Sequence, residues 1–139
     1  MSNPRILLIE DDPDHAELTL MGLKEANIRD IIYVAKDGEE ALQFLFSVDG
    51  VEAKPTFVLL DLKLPKVDGL EVLRRIKADE RSRSIPVVVL TFSQNERDIM
   101  MSYRLGANSY IVKPVQFEKF ISTVSQLGSY WVLLNEPPL

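Results

Sequence analysis

With 139 residues, 46% of them hydrophobic, this chain is long enough to bury a substantial core and is expected to form one domain. Sixteen Lys and Arg against 21 Asp and Glu leave a net charge of −5, which speaks against nucleic-acid binding through phosphate neutralisation. The absence of cysteine excludes disulfides and thiolate metal sites.

No apolar run approaches the ~20 residues needed to span a bilayer. Met1-Ser2-Asn3-Pro4 passes straight into an apolar run with no signal peptide, so a soluble cytoplasmic protein is expected. Taken in chain order, strand-like runs near 5–10, 30–35, 56–61, 86–91 and 108–112 alternate with helix-like segments near 13–27, 37–47, 68–78, 94–104 and 116–134. This alternation predicts an α/β fold, a parallel sheet covered by helices on both faces. Asp12 followed by Pro13 has the form of an N-cap and first-turn proline. Asp37-Gly38-Glu39-Glu40 and Asp68-Gly69 open the second and third helices with acidic residues suited to the helix dipole. Phe117, Phe120, Ile121, Val124, Leu127 and Trp131 recur at spacings of three and four, predicting one apolar face on the last helix. Val48 to Pro55 reads as a loop and Pro137-Pro138 as a short unstructured end, with no room for an output domain.

The chemistry lies where the apolar runs stop. Ile6-Leu7-Leu8-Ile9 runs into Glu10-Asp11-Asp12, Phe57-Val58-Leu59-Leu60 into Asp61, Val87-Val88-Val89-Leu90 into Thr91, and Ser109-Tyr110-Ile111-Val112 into Lys113-Pro114. Continuous Val/Ile/Leu runs suit buried parallel strands, and ligands of open α/β sheets bind beyond the strands' carboxyl ends. If the four strands are parallel, Glu10, Asp11, Asp61, Thr91 and Lys113 meet at one edge. Clustered carboxylates repel unless a cation joins them. Hard oxygen donors of this kind suit Mg²⁺. Asp12 is explained as a helix cap; Glu10, Asp11 and Asp61 are not. Asp61 is the best nucleophile, since a carboxylate can form an acyl phosphate. Lys113 offers a point charge, and the Thr91 hydroxyl a hydrogen bond, to phosphoryl oxygens.

The chain resembles the receiver domains of two-component response regulators over nearly all of residues 4–130. The likeness rests on Ile6 to Asp11, Leu59-Leu60-Asp61-Leu62-Lys63-Leu64-Pro65 with Asp68-Gly69, Ile85-Pro86 through Thr91, Gly106-Ala107, and Tyr110-Ile111-Val112-Lys113-Pro114. It implies a doubly wound, five-stranded parallel sheet of order 2-1-3-4-5. It makes Asp61 the phosphoacceptor, Glu10 and Asp11 the acidic pair, and the Lys63 backbone carbonyl a further Mg²⁺ ligand. Thr91 becomes the switch hydroxyl, Tyr110 the coupled aromatic, and Lys113 the phosphate-contacting lysine. A cis Lys113–Pro114 peptide is implied as well. Among receivers the chain is most similar to the single-domain regulators that partner phytochrome kinases, through Pro65-Lys66-Val67-Asp68-Gly69, Ile85 to Thr91 and the tail from Trp131 to Pro138. The implied partners are a sensor histidine kinase, a phytochrome included, or a histidine phosphotransfer protein. The chain departs from most receivers at Phe92, where a small residue is usual, and bulk there is expected to restrict access to the site or alter how Thr91 moves. Lys63 occupies a position that varies among receivers.

Other readings fit less well. A flavodoxin-like redox protein needs a phosphate-cradling loop after its first strand, where Glu10-Asp11-Asp12 would repel phosphate. A haloacid-dehalogenase-type phosphatase wants a second Asp where Lys63 stands, and no glycine-rich P-loop is present. A pseudo-receiver scaffold would not need the intact set of Glu10, Asp11, Asp61, Thr91 and Lys113. His15, the sole histidine, is expected to be an exposed helix residue, and the four methionines to pack a helix face. Arg74-Arg75 and Arg81-Ser82-Arg83 read as solvated surface; Tyr103 fits a core edge or an interface equally. Trp131-Val132-Leu133-Leu134 places adjacent apolar residues over roughly 200° of helix, more than one core-facing stripe can cover. A homodimer through the last helix and residues 131–139 is therefore expected.

Overall fold

The computed structural model describes residues 5–28, 31–47 and 54–136. Most of the loop expected over 48–55 falls outside these residues, as do Met1 to Pro4 and Pro137-Pro138. Strands and helices alternate as the apolar periodicity requires: β1 (Arg5–Ile9), α1 (Pro13–Glu25), β2 (Ile31–Ala35), α2 (Gly38–Phe46), β3 (Phe57–Leu60), α3 (Gly69–Ala78), β4 (Val87–Thr91), α4 (Glu96–Leu105), β5 (Ser109–Val112) and α5 (Phe117–Gly128). A π-helical segment, Ser129–Leu134, extends α5. The strands form one parallel sheet of order β2-β1-β3-β4-β5, as the resemblance implied.

The central strands are apolar on both faces because both are covered. Leu7, Ile9, Val58, Leu60, Val87 and Val89 pack under α2, α3 and the end of α4, while Ile6, Leu8, Phe57, Leu59, Val88 and Leu90 pack under α1 and α5. Alternate residues of each strand thus serve opposite cores. The chain runs outward from β1 to β2 and then back past β1 to β3, β4 and β5, and right-handed crossovers in opposite directions put their helices on opposite faces. α1 and α5 lie so close that a Cβ on Gly22 would fall 2.6 Å from Val124 Cβ.

The helix starts are those read from the sequence. The Asp12 side chain accepts hydrogen bonds from the backbone N–H groups of Asp14 and His15, Asp37 accepts from Glu40, and Asp68 from Glu71. Gly69, the first residue of α3, is pressed against the segment leaving β3. A Cβ there would stand 2.5 Å from the Asp61 carbonyl oxygen and overlap Leu62 Cα. Gly69→Ala is therefore expected to lower stability by about 1–3 kcal/mol, the usual cost of overpacking, and to displace the segment carrying Asp61. Urea unfolding measures the loss; an unchanged midpoint would refute the close approach.

Four expectations need correction here. Phe117, the first residue of α5, does not join the helix's apolar face and is 71% exposed. Met21 and Met100 are exposed too, because the inner sides of α1 and α4 are taken by smaller residues, Thr19, Gly22 and Ser102 among them. The Lys113–Pro114 peptide is trans, no cis bond occurring among the described residues; X–Pro bonds favour trans by about 0.5–1 kcal/mol. Arg74 and Arg75 are surface residues paired with Glu71, and Arg81 with Asp79. Ser82, between Arg81 and Arg83, is instead buried and donates to the Ile76 carbonyl at 2.7 Å. Tyr103 is exposed.

Candidate functional site

Sheet register brings the chemistry together. Ile9 pairs with Leu60, and the Asp61 N–H donates to the Ile9 carbonyl at 3.0 Å, so Glu10 and Asp61 leave adjacent strands side by side. Thr91 pairs with Val112, and the Lys113 N–H donates to the Thr91 carbonyl at 2.7 Å. β1 and β3 flank the point where the chain reverses direction along the sheet, the place where such folds bind ligands. Glu10, Asp11, Asp12, His15, Asp61, Lys63, Thr91, Phe92 and Lys113 line one cavity there.

Its centre is a buried charge cluster. The Lys113 ammonium, 2% exposed, donates to Glu10 Oε1 at 2.7 Å and to Asp61 Oδ2 at 2.9 Å. Each carboxylate also accepts a backbone hydrogen bond, Glu10 Oε2 from Asp12 and Asp61 Oδ1 from Lys63. Two buried carboxylates share one ammonium, an arrangement that leaves negative charge over. Burial lifts the Glu10 carboxyl to about 7; the nearby Asp61 charge pushes the same way, while the Lys113 hydrogen bond pulls against both.

One oxygen each from Glu10, Asp11 and Asp61 lie within 4.8 Å of one another. Three convergent carboxylate oxygens, one residue open to solvent and two buried, fit a hard divalent cation that keeps part of its water shell. Thr91 is buried, and its Oγ1 accepts the Ser93 N–H at 3.4 Å. Tyr110 packs on the α2–α3 core and donates its hydroxyl to the Ser93 carbonyl at 2.9 Å, tying β5 to the loop after β4. Ser93 Oγ in turn donates to Asp98 Oδ2 at 2.6 Å.

Every site residue expected from the sequence lies at or beside this edge. His15, expected on the outer surface, does not behave as foreseen. Its Nδ1 stands 3.1 Å from Lys113 Nζ, and its ring packs on Phe92 and Phe120 at centroid distances of 5.0 and 6.0 Å. The signal was present in the helical spacing, because His15 lies one turn before buried Thr19 on the inner side of α1. Phe92 is 46% exposed and covers the cavity beside Lys113, whose Nζ is 5.2 Å from the ring centroid.

An α/β sheet of this order with an acidic edge, a strand-end Thr and a buried Lys defines a receiver, and the family model described as "Response regulator receiver domain" matches residues 6–125. The chain belongs to that family and is a response regulator receiver of two-component signalling. It is 43% identical over 134 residues to the "Probable methanogenesis regulatory protein FilR2" of Methanothrix harundinacea (strain 6Ac), covering 96% of this chain and 86% of that one. To the response regulator Rcp1 of Synechocystis sp. it is 39% identical over 135 residues, covering 94% and 92%. Among solved structures, the phosphorylated cyanobacterial phytochrome response regulator RcpA superposes with a TM-score of 0.92 at 35% identity, covering 99% and 100%. The Mn²⁺-bound form of Rcp1 superposes with a TM-score of 0.90 at 37% identity, covering 98% and 99%. Among the described residues no helix is long and apolar enough to cross a membrane.

Proposed function

We propose that this chain is a cytoplasmic signal carrier that accepts a phosphoryl group on Asp61, with Mg²⁺, from a sensor histidine kinase or a histidine phosphotransfer protein. The observation that carries this reading is the convergence of the Glu10, Asp11 and Asp61 oxygens beside the Lys113 ammonium at the strand ends. A carboxylate oxygen of Asp61 attacks phosphorus, the N–P bond of the donor phosphohistidine breaks, and the donor imidazole leaves with the electron pair and takes up a proton. Lys113 holds the incoming phosphoryl oxygens by charge, and Thr91 donates a hydrogen bond to one of them. Glu10, Asp11, Asp61 and the Lys63 carbonyl would hold Mg²⁺, which when bound screens repulsion between the phosphoryl group and the carboxylates. The same groups support slow self-phosphorylation from small donors and slow hydrolysis of the acyl phosphate. The Mn²⁺-bound and phytochrome-linked relatives support the divalent cation and a phytochrome kinase as donor. Phosphotransfer profiling against purified histidine kinases tests the reading; a chain that takes phosphate from none of them, nor from acetyl phosphate, would overturn it.

The signal is read out through Thr91 and Tyr110. When Thr91 turns toward the phosphoryl group, it releases the Ser93 N–H and with it the loop that Tyr110 holds through the Ser93 carbonyl. Thr91→Ala is expected to accept phosphate yet lose most amide chemical-shift changes across α4, β5 and α5. Shift changes equal to wild type there would overturn the switch.

A homodimer is part of the proposal. Leu133 and Leu134 are 64% and 72% exposed, and Tyr130 beside them is open, whereas Trp131 and Val132 pack on the α1–α5 core. Light scattering is expected to give a dimer mass for the full chain at tens of micromolar and a monomer for a truncation ending at Tyr130. A monomer mass for the full chain, phosphorylated or not, would exclude the dimer.

A further inference from the structure

An ammonium has three N–H donors and no acceptor. Lys113 spends two on Glu10 Oε1 and Asp61 Oδ2, and the third meets His15 Nδ1 at 3.1 Å. Because the lysine can only donate, a hydrogen bond across this distance requires Nδ1 to be the acceptor, with the ring N–H then on Nε2. The other group near Nδ1, Asp12 Oδ2, is 3.6 Å away, too far for a hydrogen bond that would require a proton on Nδ1. The ring is held edge-on to Phe92 and tilted against Phe120, so its orientation is fixed by packing.

The three acceptors of Lys113 are not equivalent. Glu10 and Asp61 are both drawn on by a cation, and Asp61 is drawn on by the phosphoryl group as well. His15 alone, among the described partners of Lys113, is consumed by neither. We propose that His15 is a positioning residue of the phosphoryl-transfer site: its Nδ1 lone pair anchors the Lys113 ammonium at the strand edge while the two carboxylates turn to the cation and the phosphoryl group. This rests on the phosphoacceptor reading of Asp61. Phe92, unusual for its bulk, then acts as the buttress that orients the imidazole and as an apolar cover over the lysine.

Substitutions of similar bulk separate anchoring from simple shielding. In His15→Leu the acceptor is gone while the volume is largely kept, and labelling by ³²P-acetyl phosphate at saturating Mg²⁺ is expected to slow about tenfold, the size of one hydrogen bond to a charged group. His15→Gln restores an acceptor oxygen and should recover most of that loss. Independently, long-range ¹H–¹⁵N spectra of the wild-type chain at pH 8 should show His15 as the Nε2–H tautomer, both without and with Mg²⁺ and beryllofluoride. Leu and wild type labelling at equal rates, Gln slowing as much as Leu, or an Nδ1–H tautomer would each overturn the anchor while leaving Asp61 as phosphoacceptor. A wild-type chain that takes no label would overturn the phosphoacceptor reading itself, and the positioning role with it.

Discussion

Asp61→Asn is expected to abolish phosphorylation, dropping label from acetyl phosphate or a kinase to background, a loss on the order of a thousandfold or more as when a covalent nucleophile is removed. The neutral amide matches the carboxylate in shape and keeps an oxygen where Lys113 donates at 2.9 Å. The fold is therefore retained, and thermal unfolding without divalent cations should occur at or above the wild-type temperature, because a negative charge facing Glu10 has been removed. The two measurements together distinguish loss of chemistry from loss of structure. Label persisting at wild-type level in the variant, or appearing equally with and without Mg²⁺ in the wild type, would refute the assignment.

The second large effect is on stability. Lys113→Met leaves the buried carboxylates of Glu10 and Asp61 facing each other without their cation. Breaking a buried ion pair by removing one partner typically costs about 3–5 kcal/mol, and a loss of that size is expected at pH 8 in EDTA. The pH dependence follows from Glu10, whose carboxyl is raised from 4.5 to about 7 in the folded chain, chiefly by burial. The folded state therefore binds more protons than the unfolded one between these values. Its stabilising contribution is complete below about 4.5 and disappears as pH rises through about 7. Cation-free wild type is expected to lose stability from pH 5 to pH 8 through this group, and Lys113→Met to lose more, since the lysine is what pulls the Glu10 value down. Mg²⁺ should restore much of the deficit at pH 8 and little at pH 5, because it stabilises the folded state by binding the ionised carboxylates. Melting curves of both proteins across this range, with EDTA or Mg²⁺, check the sign. A difference between variant and wild type that stays constant from pH 5 to pH 8 would contradict it.

The residues with the largest expected effects were also the most legible, for a physical reason. A buried parallel strand must be apolar on both faces, so its end is marked where the first charged or hydroxyl residue interrupts the run, as at Glu10, Asp61, Thr91 and Lys113. Helix starts were equally readable, because the caps made by Asp12, Asp37 and Asp68 involve backbone N–H groups only two or three residues away. Such features are local, and a linear sequence contains all their partners.

What the tertiary structure alone decided depends on partners far apart in the chain. Apolar periodicity alone fits several strand orders; the order with β1 between β2 and β3, implied only by the family resemblance, has its physical reason in the tertiary structure, which buries α1 and α5 on one face and α2 and α3 on the other. The Lys113 pairing spans 103 residues to Glu10 and 98 to His15, and no spacing rule reaches that distance. His15 was misplaced because a polar residue in a first helical turn is ordinarily solvated, and only the approach of β5 and the loop carrying Phe92 turns that position inward. Met21, Met100 and Phe117 failed in the opposite sense: apolar character makes burial favourable, but which apolar residues are buried is set by where neighbouring elements leave room. Composition and periodicity thus determine which elements form and where their chemistry begins, while the packing of α1 on α5 and the pairing of β5 with β4, which carries Lys113 to the strand ends of β1 and β3, determine which side chains touch.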